Sequence, residues 1–87
     1  MRAYGSTNLL AMKRAPVEST SIASVGYDAS THMLEVEFVH GAVYQYLDVP
    51  AGVHVAFLAA GSKGVFLNEA IRDVYECFKV PNRFSRR

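Results

Sequence analysis

The polar and apolar positions of the chain change period as it is followed, and those changes divide it into elements. From Met33 to Val39, Leu34, Val36 and Phe38 alternate with Glu35 and Glu37, the pattern of a strand with one buried and one wet face. Ile22 to Tyr27 predicts a strand before it, with Ile22 and Val25 as its apolar contributions, and Asp28-Ala-Ser-Thr31 supplies turn residues between the two. Ala42 to Leu47 predicts a third strand. Val49-Pro50 cannot continue a ladder, and beyond it Val53, Phe57 and Ala60 form a helical stripe with Leu58 beside it. A first helix is read over Ala51 to Ala60, with Pro50 in its first turn, Asp48 as a cap and Gly61 as a C-terminal residue tolerant of positive φ. Ser62 is a candidate cap for a second helix, in which Leu67, Ile71, Val74, Tyr75 and Phe78 recur at helical spacing and which ends before Pro81. The order predicts an α+β domain: a three-stranded antiparallel sheet followed by two helices packed on one face.

The register of the Leu34 to Tyr46 hairpin decides where Tyr44 and Tyr46 point. A two-residue His40-Gly41 loop would put both tyrosines on the acidic face with Glu35 and Glu37 and would bury Gln45. A three-residue Val39-His40-Gly41 loop, with Gly41 in the left-handed position of a bulge, pairs Val36 with Tyr44 and Leu34 with Tyr46. Burying a glutamine without partners costs about 1–3 kcal/mol, and the tyrosines carry the larger apolar area, so the three-residue loop is favoured. Both tyrosines are then expected in the core.

Outside this body, residues 1–16 have no period and mix Gly, Ser, Thr, Asn and Pro, which reads as a flexible N-terminal arm. The domain proper is read as 17–78, and 79–87 as a basic tail. With 87 residues, a single domain of this size buries only about 60% of its unfolded surface. At 51% hydrophobic and 20% charged residues, a core is attainable without metal or disulfide staples. A lone Cys77 cannot form an internal bridge, which fits a reducing, cytoplasmic compartment, and no Cys/His pair has zinc spacing. Leu9 to Met12 is too short an apolar run for a signal or membrane span. No cofactor is expected.

The net charge of +1 conceals an uneven distribution. Between Arg14 and Lys63 there is no lysine or arginine, whereas Glu18, Asp28, Glu35, Glu37 and Asp48 all lie there. Lys79, Arg83, Arg86 and Arg87 crowd the end, where they could attract phosphates through a salt-sensitive interaction. Ser62-Lys63-Gly64 at a helix start is the other anion candidate, and Asn68 and Arg72, four apart, would extend it along one helical face. Each has a plainer reading, as a capped turn and as solvated charges. His32, His40 and His54 have no carboxylate or cysteine at useful spacing, Cys77 is far from a helix N-terminus, and no catalytic pair is specified.

Val17, Ser19-Thr20-Ser21, Val25-Gly26-Tyr27-Asp28, Leu34-Glu35-Val36-Glu37-Phe38, Gly41, Tyr44-Gln45-Tyr46, Val49-Pro50, Ser62-Lys63-Gly64, Phe66, Asn68, Ile71-Arg72 and Tyr75 together resemble the KTSC domain. That domain is similar to one at the C-terminus of some lysyl-tRNA synthetases and also occurs as a free-standing small protein in bacteria and phages. Its Y-x-Y signature corresponds to Tyr44 and Tyr46. The resemblance implies a non-catalytic binding module, with RNA binding proposed for the family. The expected partner is then tRNA or another structured RNA, bound through Ser62, Lys63, Gly64, Asn68, Arg72, Lys79 and Arg83. The alternative is a module for protein interaction or self-association through the exposed sheet face and its edge.

Overall fold

The structure, a computed structural model, describes residues 13–81. Its elements are β1 (Ala15–Pro16), β2 (Ile22–Asp28), β3 (Met33–Phe38), β4 (Val43–Tyr46), α1 (Ala51–Ala59), α2 (Lys63–Phe66), which widens into a π-helical turn over Leu67–Ile71, and β5 (Cys77–Lys79). The strands form one antiparallel sheet in sequence order β1-β2-β3-β4-β5.

The sheet thus has five strands where periodicity predicted three. Neither addition is long enough to show a period: β1 has two residues, one of them Pro16, and β5 has three. The part of the arm that is described, from Lys13 to Pro16, is therefore tied to the sheet through β1. The second helix ends at Ile71, well before Pro81, and Val74 and Phe78 lie exposed. The π turn closes with Arg72 N donating to Leu67 O (2.8 Å), and Val74 N and Tyr75 N both reach Ile71 O (3.1 Å each). The chain then reverses and covers the outer edge of β4, pairing Tyr44 with Lys79 and Tyr46 with Cys77. An unpaired strand edge is the stronger claimant on these backbone groups than a continued helix.

The hairpin adopts the three-residue loop. Val36 pairs with Tyr44 and Leu34 with Tyr46, Gly41 has φ 105°, and Gly41 N donates to Phe38 O (2.9 Å). Ile22 and Val25 are three apart and would face opposite sides of a regular strand. A bulge between Ile22 and Ser24 changes the parity, so Ile22 sits opposite Phe38 and Val25 opposite Val36, all on the core face. Around them Leu34, Tyr46, Val49, Phe57, Leu67 and Ile71 complete the buried cluster. Helix α1 contributes only Phe57 as a fully buried residue. Pro50 occupies its cap position, so Asp48, with φ 58°, serves the preceding turn instead. Ala60, extended at φ −67° and ψ 140°, ends the helix, and Gly61 needs no positive φ.

The face of β3 expected to be wet is instead sealed. Glu35 is 1% and Gln45 0% exposed. Arg14 Nη1 donates to Glu35 Oε2, Arg14 Nε to Ser24 Oγ (3.0 Å), Ser24 Oγ to Glu37 Oε1 (2.7 Å), and Gln45 Nε2 to Glu35 Oε1 (2.7 Å). Gln45 Oε1 has no partner among the described residues. Gly26 permits this crossing, because a Cβ there would collide with the Lys13 carbonyl oxygen and crowd Arg14 Cγ. A guanidinium brought over a strand from outside the predicted sheet thus neutralises Glu35, while Glu37 is held by the Ser24 hydroxyl.

Candidate functional site

On the opposite face of the sheet the core ends in a cleft of about 300 Å³. Strand alternation puts Phe38, Tyr44 and Tyr46 on this side. Tyr46 lies deep and is 3% exposed, while Tyr44, nearer the hairpin tip, is half-buried. The Phe38 ring meets Tyr44 edge to face (centroids 5.8 Å apart, 85° between planes) and stacks on His40 (5.6 Å, 4°). The result is an aromatic row, His40-Phe38-Tyr44, along one wall.

The other wall comes from the helical segment. Leu67 lies buried at its base, and Asn68 and Arg72, one turn apart, line the cleft with Arg72 Nη1 donating to Asn68 Oδ1 at 3.2 Å. Strand β5 closes the end by placing Cys77 opposite Tyr46, and it sets Lys79 opposite Tyr44. No carboxylate lines the cleft among the described residues, and Arg72 forms no ion pair there. Burial pushes the Tyr46 hydroxyl up to about 12, with the neighbouring Cys77 adding to the rise and Arg72 opposing it. That phenol stays protonated at neutral pH.

The structure separates residues that the sequence grouped together. Ser62, Lys63 and Gly64 line a second depression with Glu18, Ser19, Thr20 and Ser21, sharing no residue with the cleft. There Ser62 Oγ accepts from Val65 N (3.3 Å), Lys63 Nζ donates to Ala60 O (3.2 Å), and a Cβ on Gly64 would crowd Ser21 Oγ. Their visible work is to cap α2 and hold the end of α1. Asn68, Arg72 and Lys79 belong with the tyrosines instead, and Arg83 lies outside the described residues. Phe38 and His40 were not singled out as site residues, although the hairpin register implied Phe38's face. Cys77 had no signal, because its strand was read as helix. Among the described residues no three His, Cys, Asp or Glu groups gather to hold a metal, and no helix is long and apolar enough to cross a membrane.

The sequence pattern of the KTSC domain matches residues 18–75. The chain belongs to the KTSC domain family. Similar sequences include an uncharacterized protein of Stutzerimonas stutzeri, 44% identical over 61 residues that cover 70% of this chain and 86% of the relative. A protein of Tsukamurella paurometabola is 42% identical over 57 residues, 66% and 85% of the two chains. The crystal structure of a KTSC domain protein from Yersinia pestis superposes with a TM-score of 0.76 at 44% identity, covering 82% of this chain and all of that one. The matched KTSC segment holds Tyr44, Tyr46, Asn68 and Arg72 but neither Arg14 nor the Cys77–Lys79 strand.

Proposed function

We propose that this KTSC domain is a non-catalytic binding module for RNA, with the cleft between β4 and the π turn as its contact surface. The observation that carries the reading is the composition of that cleft: a row of half-exposed aromatic rings beside Arg72, with no lining carboxylate among the described residues, and with Lys79 paired opposite Tyr44 on the neighbouring strand. Rings of this kind stack unpaired bases, and flanking cations take the phosphates. An exposed free thiol at Cys77 is in keeping with a reducing, cytoplasmic setting. In fluorescence anisotropy against mixed tRNA and single-stranded RNA, affinity should fall steeply with salt. Tyr44→Ala and Arg72→Ala should each weaken binding about tenfold, by loss of one stacked base and one phosphate or base contact respectively. Lys63→Ala should leave it nearly unchanged, and a loss in that variant equal to Arg72→Ala would move the surface to the Ser62 depression.

The alternative, protein interaction or self-association, draws on strand β5 at the sheet's end, with the exposed Phe78 in it and the exposed Val74 before it. It predicts a mass that rises with concentration in analytical ultracentrifugation and is indifferent to added RNA.

A further inference from the structure

We propose that Cys77 is a modification site, where an anionic low-molecular-weight thiol of the cysteine-tripeptide class is taken up as a mixed disulfide lying in the cleft. That the adduct shuts the cleft to RNA rests on the RNA reading above; that it forms does not. Cys77 is the lone cysteine of the chain, and its thiol is free and exposed. Antiparallel pairing opposite Tyr46 sets both side chains on one face of the sheet, and both line the cleft. A group joined to the Cys77 sulfur therefore starts at the cleft wall.

The cleft suits such an adduct. Tyr46 is deeply buried and lines it, yet its hydroxyl has no hydrogen-bond partner among the described residues. A buried polar group without a partner marks a place for a ligand, and a peptide amide or carboxylate would complete it. Arg72 lines the same cleft, where no carboxylate among the described residues answers it. Its guanidinium is bonded through Nη1 to Asn68 Oδ1 and keeps further N–H groups for an incoming carboxylate. Lys79, next but one to Cys77 in β5, lies on the same face.

The step is thiol–disulfide exchange. The Cys77 sulfur, once deprotonated, attacks one sulfur of the oxidised tripeptide disulfide. That disulfide bond breaks as the new one forms, and the second tripeptide leaves with the electron pair and is protonated. The small disulfide is the oxidant, and exchange with its reduced thiol returns Cys77 to the free state.

Glutathione disulfide added to the full chain, followed by intact mass, should give one adduct per chain that reduction removes and that Cys77→Ser does not form. Arg72→Ala should slow its formation about threefold, the worth of one exposed ion pair. The rate with neutral hydroxyethyl disulfide should not change in that variant. In NMR spectra the adduct should shift Tyr44, Tyr46, Asn68 and Arg72. No adduct, equal rates in native and Arg72→Ala, equal slowing with both disulfides, or shifts confined to β5 each overturn the site. By anisotropy the adduct should bind RNA at least about tenfold more weakly, with recovery on reduction and no response to the disulfide in Cys77→Ser. RNA bound equally well by the adduct overturns the closure of the cleft. An adduct that forms on a native chain binding no RNA at low salt overturns the RNA reading and upholds the thiol site.

Discussion

The two faces of the sheet hold polar groups in opposite ways. On one, Glu35, Glu37, Ser24, Gln45 and Arg14 are joined in one hydrogen-bonded network that leaves only Gln45 Oε1 without a partner among the described residues. On the other, an apolar core runs out into a cleft lined by Tyr44, Tyr46 and Arg72 and by no carboxylate among the described residues, with Lys79 opposite Tyr44 on the adjoining strand. Charge that is spent internally holds a fold together, and charge left unspent beside rings can meet a ligand. This is why the acidic strand, the most conspicuous polar feature of the sequence, is scaffold.

The contrast is broken most severely at Arg14. Arg14→Ala leaves Glu35 buried without its cation and should cost about 3 kcal/mol in urea unfolding, while the cleft on the other face keeps its lining. A cost below about 1 kcal/mol, the range of surface pairs, would show the acidic face to be open to water.

The cleft face responds to base rather than to loss of an ion pair. Tyrosine in the unfolded chain ionises near 10 and Tyr46 in the fold at about 12, so its contribution is complete below pH 10 and is lost as pH climbs between those values. The loss should approach about 2 kcal/mol by pH 12 and be absent from the difference curve of Tyr46→Phe. A native curve that parallels Tyr46→Phe through this range would place the hydroxyl in water.

The smallest effect is expected at His54, which stacks on Tyr27 with centroids 4.6 Å apart. Burial holds its imidazole below the ordinary 6.5, so the neutral ring favours the fold. Stability should be fully present above pH 6.5 and decline as pH falls through the folded value, a slope that His54→Gln removes. Persistence of the slope in that variant would assign it elsewhere.

Much of this arrangement was legible before any coordinates. The alternation Leu34-Val36-Phe38 and the position of Gly41 settle the register, because a pleated strand has a period of two and only glycine enters the left-handed position without strain. Helix α1 lies within one residue of its predicted span for the same kind of reason, a proline at its start and one apolar stripe. That Asn68 and Arg72 share one helical face follows from their spacing of four; that they bond to each other, rather than Arg72 to an acidic neighbour, is a finding of the structure. Strand β5 was not legible, since Val74, Tyr75 and Phe78 continue the helical period on paper. Nor was the union of Arg72 with Tyr44, which requires the helix to pack across the end of the sheet.

The sequence by itself determined the local geometry of this protein: the hairpin and its face, the first helix, and the family to which the chain belongs. The tertiary structure alone decided which polar residues are spent and which remain available. Arg14 reaches Glu35 across 21 positions of chain, and Lys79 reaches Tyr44 only because the chain turns back after Ile71. Periodicity reports how a residue relates to its near neighbours. Neutralising a carboxylate or lining a cleft depends on contacts between distant segments, whose closure is settled by the packing of the whole domain.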